Sequence, residues 1–91
     1  MKRSDIDKLA KARELIYEID RTEQDIKSID ELIKDCDNNP DTVYLRISSC
    51  NGFVNIELNN NNKEFVLSTA EKIKEDIKNK LNDLNKKFEE L

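Results

Sequence analysis

The stretch Asp41–Ser68 constrains this chain more than any other, because three short runs in it share one alternating apolar pattern. Asn51-Gly52 is a strong hairpin signal, since a type I′ turn needs positive φ at both central residues. A turn centred there pairs Val43, Leu45 and Ile47 with Asn60, Leu58 and Ile56, and Ser49 with Val54. A second turn on Asn60-Asn61 brings Val54, Ile56 and Leu58 against Leu67, Phe65 and Lys63. Every apolar side chain but Tyr44, Cys50, Phe53 and Val66 then lies on one face, and a one-residue slip would scatter that face. The pattern predicts a three-stranded antiparallel meander with strands at 42–50, 53–59 and 63–67.

Amphipathic helices flank that segment. Apolar residues recur at Ile6, Leu9, Ala12, Leu15, Ile16, Ile19, Ile26, Ile29, Ile33 and Cys36. From Ala12 onward the spacing alternates three and four, as in a coiled coil, with Thr22 as a weak layer. Ser4 with Asp7 suits a helix start, and Pro40 ends the helix by disfavouring helical backbone at Asn39. The spacing predicts a helix over 4–36. Ser68-Thr69-Ala70-Glu71 reads as a capping box. The stripe Ala70, Ile73, Ile77, Leu81, Leu84, Phe88 and Leu91 predicts a second helix over 69–91. The fold class is α+β, a single domain over 1–91, with both helices packed on one sheet face. A helix of about 32 residues spans about 48 Å, against about 23 Å for seven-residue strands. The helices overhang the sheet, and the overhang calls for a partner.

Composition supports that expectation. Of 91 residues, 36% are hydrophobic and 40% charged, with two tyrosines, three phenylalanines and no tryptophan. A chain this short buries only about 60–65% of its unfolded surface. A second copy is expected to complete the core, through Ile19, Ile26, Ile29, Ile33, Ile77, Leu81, Leu84 and Phe88. The formal charge is −4 and no basic block is present, which argues against gripping duplex nucleic acid. No apolar run approaches the ~20 residues of a membrane span. The N-terminal residues form no signal-peptide core, so a cytoplasmic protein with reduced Cys36 and Cys50 is expected.

The chemistry-bearing patterns are sparse. Asp35–Asp41 resembles the opening of a calcium loop, but Pro40 stands where glycine is needed and Arg46 where the bidentate glutamate belongs. Two cysteines without histidine make no zinc site. Carboxylates fall mainly in i,i+4 pairs with lysine, namely Asp7–Lys11, Glu23–Lys27, Asp30–Lys34, Asp76–Lys80 and Asp83–Lys87, the pattern of a solvated helix face. No nucleophile has an activating base, and the single glycine precludes a glycine-rich phosphate cradle. No catalytic residue, metal or cofactor is expected, and the chain is read as a non-enzyme.

The second sheet face holds the binding candidates. Tyr44, Arg46, Ser48 and Cys50 lie on it, joined by Phe53, Asn55, Glu57 and Asn59, and by Glu64 and Val66 from the third strand. Arg46 is expected opposite Glu57, a favourable cross-strand pair. Tyr44, Arg46, Phe53 and Asn55 make a candidate partner-binding surface with aromatic anchors. The plain alternative is a half-exposed sheet face of ordinary strand formers.

The helix–β-hairpin–helix order resembles the prefoldin β-type chaperone subunits, which implies a coiled-coil subunit whose helix tips grip clients. The Lys/Asn/Ile/Glu richness, with Phe65-Val66-Leu67-Ser68-Thr69-Ala70-Glu71 leading into an amphipathic helix, is similar to small phage and prophage accessory proteins. That likeness implies an inhibitor that masks a host protein or sequesters a nucleotide signal. The sequence thus points to a non-catalytic homo-oligomeric binding protein whose partners are itself and a protein target. One alternative is a sponge for a small anionic nucleotide, lined by Arg46, Tyr44 and Asn55 from adjacent copies. The other is a structural or chaperone-like coiled-coil subunit.

Overall fold

The computed structural model describes residues 3–91. The order is α1 (Arg3–Asn38), a 3-10 turn (Pro40–Thr42), β1 (Tyr44–Ser49), β2 (Gly52–Glu57) and α2 (Lys63–Glu89). By its contacts the chain forms two compact units. One joins α1 up to Lys27 with Glu75–Leu91, and the other is Ser28–Lys74.

In the first unit the α1 and α2 segments lie side by side and run in opposite directions. Lys11, Glu14, Leu15 and Glu18 share a cleft with Lys87, Glu90 and Leu91, and Thr22 and Asp25 share one with Lys80. Leu84 is buried, and Ala12, Leu15, Ile19, Ile26, Ile77 and Leu81 are half-buried. Thr22, the weak layer of the stripe, is buried and satisfied, because its hydroxyl donates to the Glu18 carbonyl at 2.7 Å. Ser4 lies inside α1 and is not its N-cap.

In the second unit α1 continues to Asn38, where the Asn39 N–H donates to the Asp35 carbonyl at 2.8 Å. Pro40 then opens the 3-10 turn, a position that needs no N–H donor. Thr42 closes that turn, its hydroxyl donating to the Asn39 carbonyl at 2.7 Å. The core is Cys36, Val43 and Val66, with Leu32, Leu58 and Leu67 packed against it. Two ion pairs join α1 to the start of α2, Asp37 with Lys63 at 3.0 Å and Asp30 with Lys74. Asp30, expected to serve Lys34 within its own helix, thus reaches across to α2.

Three sequence expectations are corrected here. The sheet has two strands and not three, because 63–67 is the first turn of α2. The Asn59–Asn62 run explains why. The Asn59 side-chain oxygen accepts from the N–H groups of Asn61 and Asn62 at 2.9 and 3.1 Å. Asn62 in turn accepts the Asn59 N–H at 2.8 Å and donates to the Glu57 carbonyl at 2.8 Å. This closed polar turn launches a helix, and the Val66 N–H makes the first helical bond to the Asn62 carbonyl at 2.9 Å. Ser68 and Thr69 therefore sit within the helix, where the Thr69 hydroxyl donates to the Phe65 carbonyl at 2.8 Å.

The hairpin register is also shifted. Ser49 pairs with Gly52, Ile47 with Val54 and Leu45 with Ile56, so the turn residues are Cys50 and Asn51. No described residue has positive φ, so Asn51-Gly52 does not form the type I′ turn. The Ser49 hydroxyl instead accepts the Asn51 N–H at 3.2 Å. Because the shift is two residues, each side chain keeps its face.

Lastly, the helices do not cover a sheet face. Leu45 and Ile56 are half-buried, but Ile47 and Val54 are 64% and 60% exposed. Only the base of the hairpin is packed.

The Asn59 turn yields a test of where α2 begins. Asn59→Ala should lower stability by about 1 kcal/mol, because its oxygen holds two N–H groups of the turn that precedes the helix. Ser68→Ala should change it by less than about 0.5 kcal/mol, being a helix-interior surface substitution. Urea unfolding followed by circular dichroism measures both; equal losses would restore Ser68 as the cap.

Candidate binding surface on the hairpin

The hairpin presents two faces. Leu45, Ile47, Val54 and Ile56 occupy one, as two directly opposed pairs. Tyr44, Arg46 and Ser48 occupy the other, opposite Glu57, Asn55 and Phe53. Alternation along each strand fixes this division.

The second face brings the four candidate residues together. Arg46 stands opposite Asn55, and its guanidinium carbon lies 3.9 Å from the centre of the Phe53 ring. The expected Arg46–Glu57 opposition is replaced, since the shifted register gives Glu57 to Tyr44. A guanidinium over an aromatic face is held by the ring quadrupole, worth about 0.5–1 kcal/mol at exposed sites. Tyr44 and Phe53 are 50% and 58% exposed, so both rings are available to a partner. Of the other residues expected on this face, Cys50 falls in the turn and Asn59 in the capping network. Glu64 and Val66 belong to α2, and Val66 is buried in the core.

The cleft beside Tyr44 has a volume of about 380 Å³ and is lined by Ser28, Glu31, Leu32, Asp35, Thr42 and Val43. Its charged groups are the carboxylates of Glu31 and Asp35, which disfavour an anion there.

The residues expected to join copies lie on the helix stripes. Ile19, Ile26, Ile29, Ile33, Ile77 and Leu81 are half-buried, Leu84 is buried, and Phe88 is 40% exposed. The sequence reading missed the exposed aliphatic pair Ile47–Val54, having assigned it to the core. It also missed a polar cluster on α1, where Arg21 stacks on Tyr17 at 5.7 Å. The i,i+4 spacing of an aromatic and an arginine was the available signal.

The two thiols differ sharply. Cys50 is exposed in the hairpin turn, and Cys36 is fully buried. Burial pushes the Cys36 thiol up; the Asp37 and Asp35 carboxylates add to the shift, and Lys63 opposes it. Among the described residues no group of three or more His, Cys, Asp or Glu is placed to hold a metal. Asp37, from the calcium-loop-like run, is paired with Lys63.

No family model matches the chain, and no curated protein or solved structure matches it.

A thiol reagent at neutral pH should modify Cys50 at once and Cys36 only on unfolding. The raised Cys36 thiol also sets a pH trend. Below the ordinary thiol value of about 8.5 both states hold the proton and nothing changes. Above it the unfolded chain ionises first, so stability falls as pH rises toward the folded value. Cys36→Ala should flatten that alkaline decline relative to wild type in urea titrations from pH 7 to 10.

Proposed function

We propose that the chain is a non-catalytic, homo-oligomeric binding protein that engages a protein target through the Tyr44, Arg46, Phe53 and Asn55 face. The observation that carries this reading is uncovered apolar surface. Ile6, Leu9, Ile16, Tyr17, Tyr44, Ile47, Phe53, Val54 and Phe65 are all at least 47% exposed. Single exposed apolar residues need no explanation, but a directly opposed aliphatic pair on one hairpin face, with two open aromatic rings on the other, does.

A second reading, a coiled-coil chaperone-like subunit, draws on a different observation. The element order is helix, two-stranded hairpin, helix. Ile6 and Leu9 near the start of α1 are 52% and 48% exposed, and Phe88 near the end of α2 is 40% exposed. A client gripped by the helix ends would meet those residues and not Arg46.

Light scattering on wild-type protein across a hundredfold concentration range should return a defined oligomer. A monomer throughout would refute self-association. Capture of partners by wild type, Arg46→Glu and Leu9→Glu then separates the two readings. Loss only with Arg46→Glu supports the hairpin face, and loss only with Leu9→Glu supports the helix ends.

A further inference from the structure

We infer that two copies join through the free edge of β2, pairing β2 with β2 antiparallel about Asn55 to make one four-stranded sheet. This deepens the homo-oligomer reading and rests on it.

The ladder itself shows which backbone groups are open. The Leu58 N–H donates to the Val43 carbonyl at 3.1 Å, which makes Val43 and Leu58 a hydrogen-bonded pair. Pairs alternate along an antiparallel ladder. Leu45–Ile56, Ile47–Val54 and Ser49–Gly52 are therefore the bonded pairs, and Tyr44–Glu57, Arg46–Asn55 and Ser48–Phe53 are not. The N–H and C=O groups of this second set point out of the hairpin. Tyr44, Arg46 and Ser48 present them on the β1 edge; Phe53, Asn55 and Glu57 present them on the β2 edge.

Each edge carries one charge, Arg46 on β1 and Glu57 on β2, and no bulge. Natural edge strands are blunted by lysine, proline, bulges or inward-pointing charges. Between Tyr44 and Glu57 there is no lysine and no proline. Arg46 and Glu57 lie on the polar face and do not interrupt the aliphatic one. A lone two-stranded hairpin is marginal in water, whereas more strands with an apolar face are stable. A second hairpin supplies them.

Charge selects the β2 edge. Full two-fold pairing of β1 with β1 places Arg46 opposite Arg46, and directly opposed like charges are destabilising. Two-fold pairing of β2 with β2 opposes Asn55 to Asn55, Val54 to Ile56 and Phe53 to Glu57. Arg46 already lies over the Phe53 ring at 3.9 Å. Glu57 of the second copy therefore arrives beside that guanidinium on the same face, and the contact occurs twice.

The test uses proline, which is tolerated on an edge strand where its nitrogen faces outward. In light scattering, Asn55→Pro should halve the assembly mass, and Ser48→Pro, its counterpart on the β1 edge, should leave the mass unchanged. Amide exchange on wild type gives an independent readout that needs no variant. Phe53, Asn55 and Glu57 should exchange at least about tenfold more slowly than Tyr44, Arg46 and Ser48, as amides in a paired edge do. Protection on the β1 set instead, or an unchanged mass in a folded Asn55→Pro protein, overturns β2 pairing and leaves the homo-oligomer standing. A wild-type monomer at every concentration overturns both.

Discussion

Three side chains at one junction hold residues 28–74 together. Cys36 ends the stripe of α1, Val43 leads into β1, and Val66 sits in the first turn of α2; all are buried against one another. The flanking ion pairs do not substitute for them. Lys63 and Asp37 are 43% and 69% exposed, and exposed pairs of that kind contribute about 0–1 kcal/mol. Burial of the three apolar groups, with Leu32, Leu58 and Leu67 around them, sets where the hairpin leaves the helices. Cover then declines with distance from the junction, from buried Val43 through half-buried Leu45 and Ile56 to exposed Ile47 and Val54.

Much of this was legible in the sequence, and the reason is periodicity. The three-four spacing located α1 and most of α2, which begins at Lys63 and not at 69, and strict alternation sorted the faces of β1 and β2, although Cys50 and Asn59 fall outside the strands. A register wrong by two still sorted the faces correctly, because the side-chain period of a strand is two. Arg46, Phe53 and Asn55 were therefore placed together although the partner expected for Arg46 was wrong. What failed were decisions that periodicity does not make. Phe65-Val66-Leu67 is an apolar run too short for its period to distinguish strand from helix. The deciding information was four residues away. Val66 extends the α2 stripe backward from Ala70 by one helical step, and the Asn59 side chain can close the turn that leads into the helix. The Asn51-Gly52 turn failed for another reason, since the Ser49 hydroxyl offers the Asn51 N–H a local partner.

The larger misreading concerned burial, which a pattern gives only as a face. An alternating strand has an apolar side whether or not anything lies against it. Ile47 and Val54 were assigned to a core because a third strand and two helices were expected to supply one. With residues 63–67 in α2, the sheet has no third strand to widen that face, and no helix lies over its outer half.

Uncovered surface matters more on the hairpin than on the helices because the neighbouring side chains differ. On α1 and α2 the stripe is flanked by Lys, Glu and Arg, residue types whose methylene stems can cover apolar groups while their charges stay in water. The hairpin has no such side chains to spare. Around Ile47 and Val54 the neighbours in sequence are Arg46, Ser48, Phe53 and Asn55, and all four point to the other face. Ser49 and Gly52 close the tip on the aliphatic side, too short to reach across it. At the end of the hairpin neither set of neighbours screens Ile47 and Val54, which stay 64% and 60% exposed.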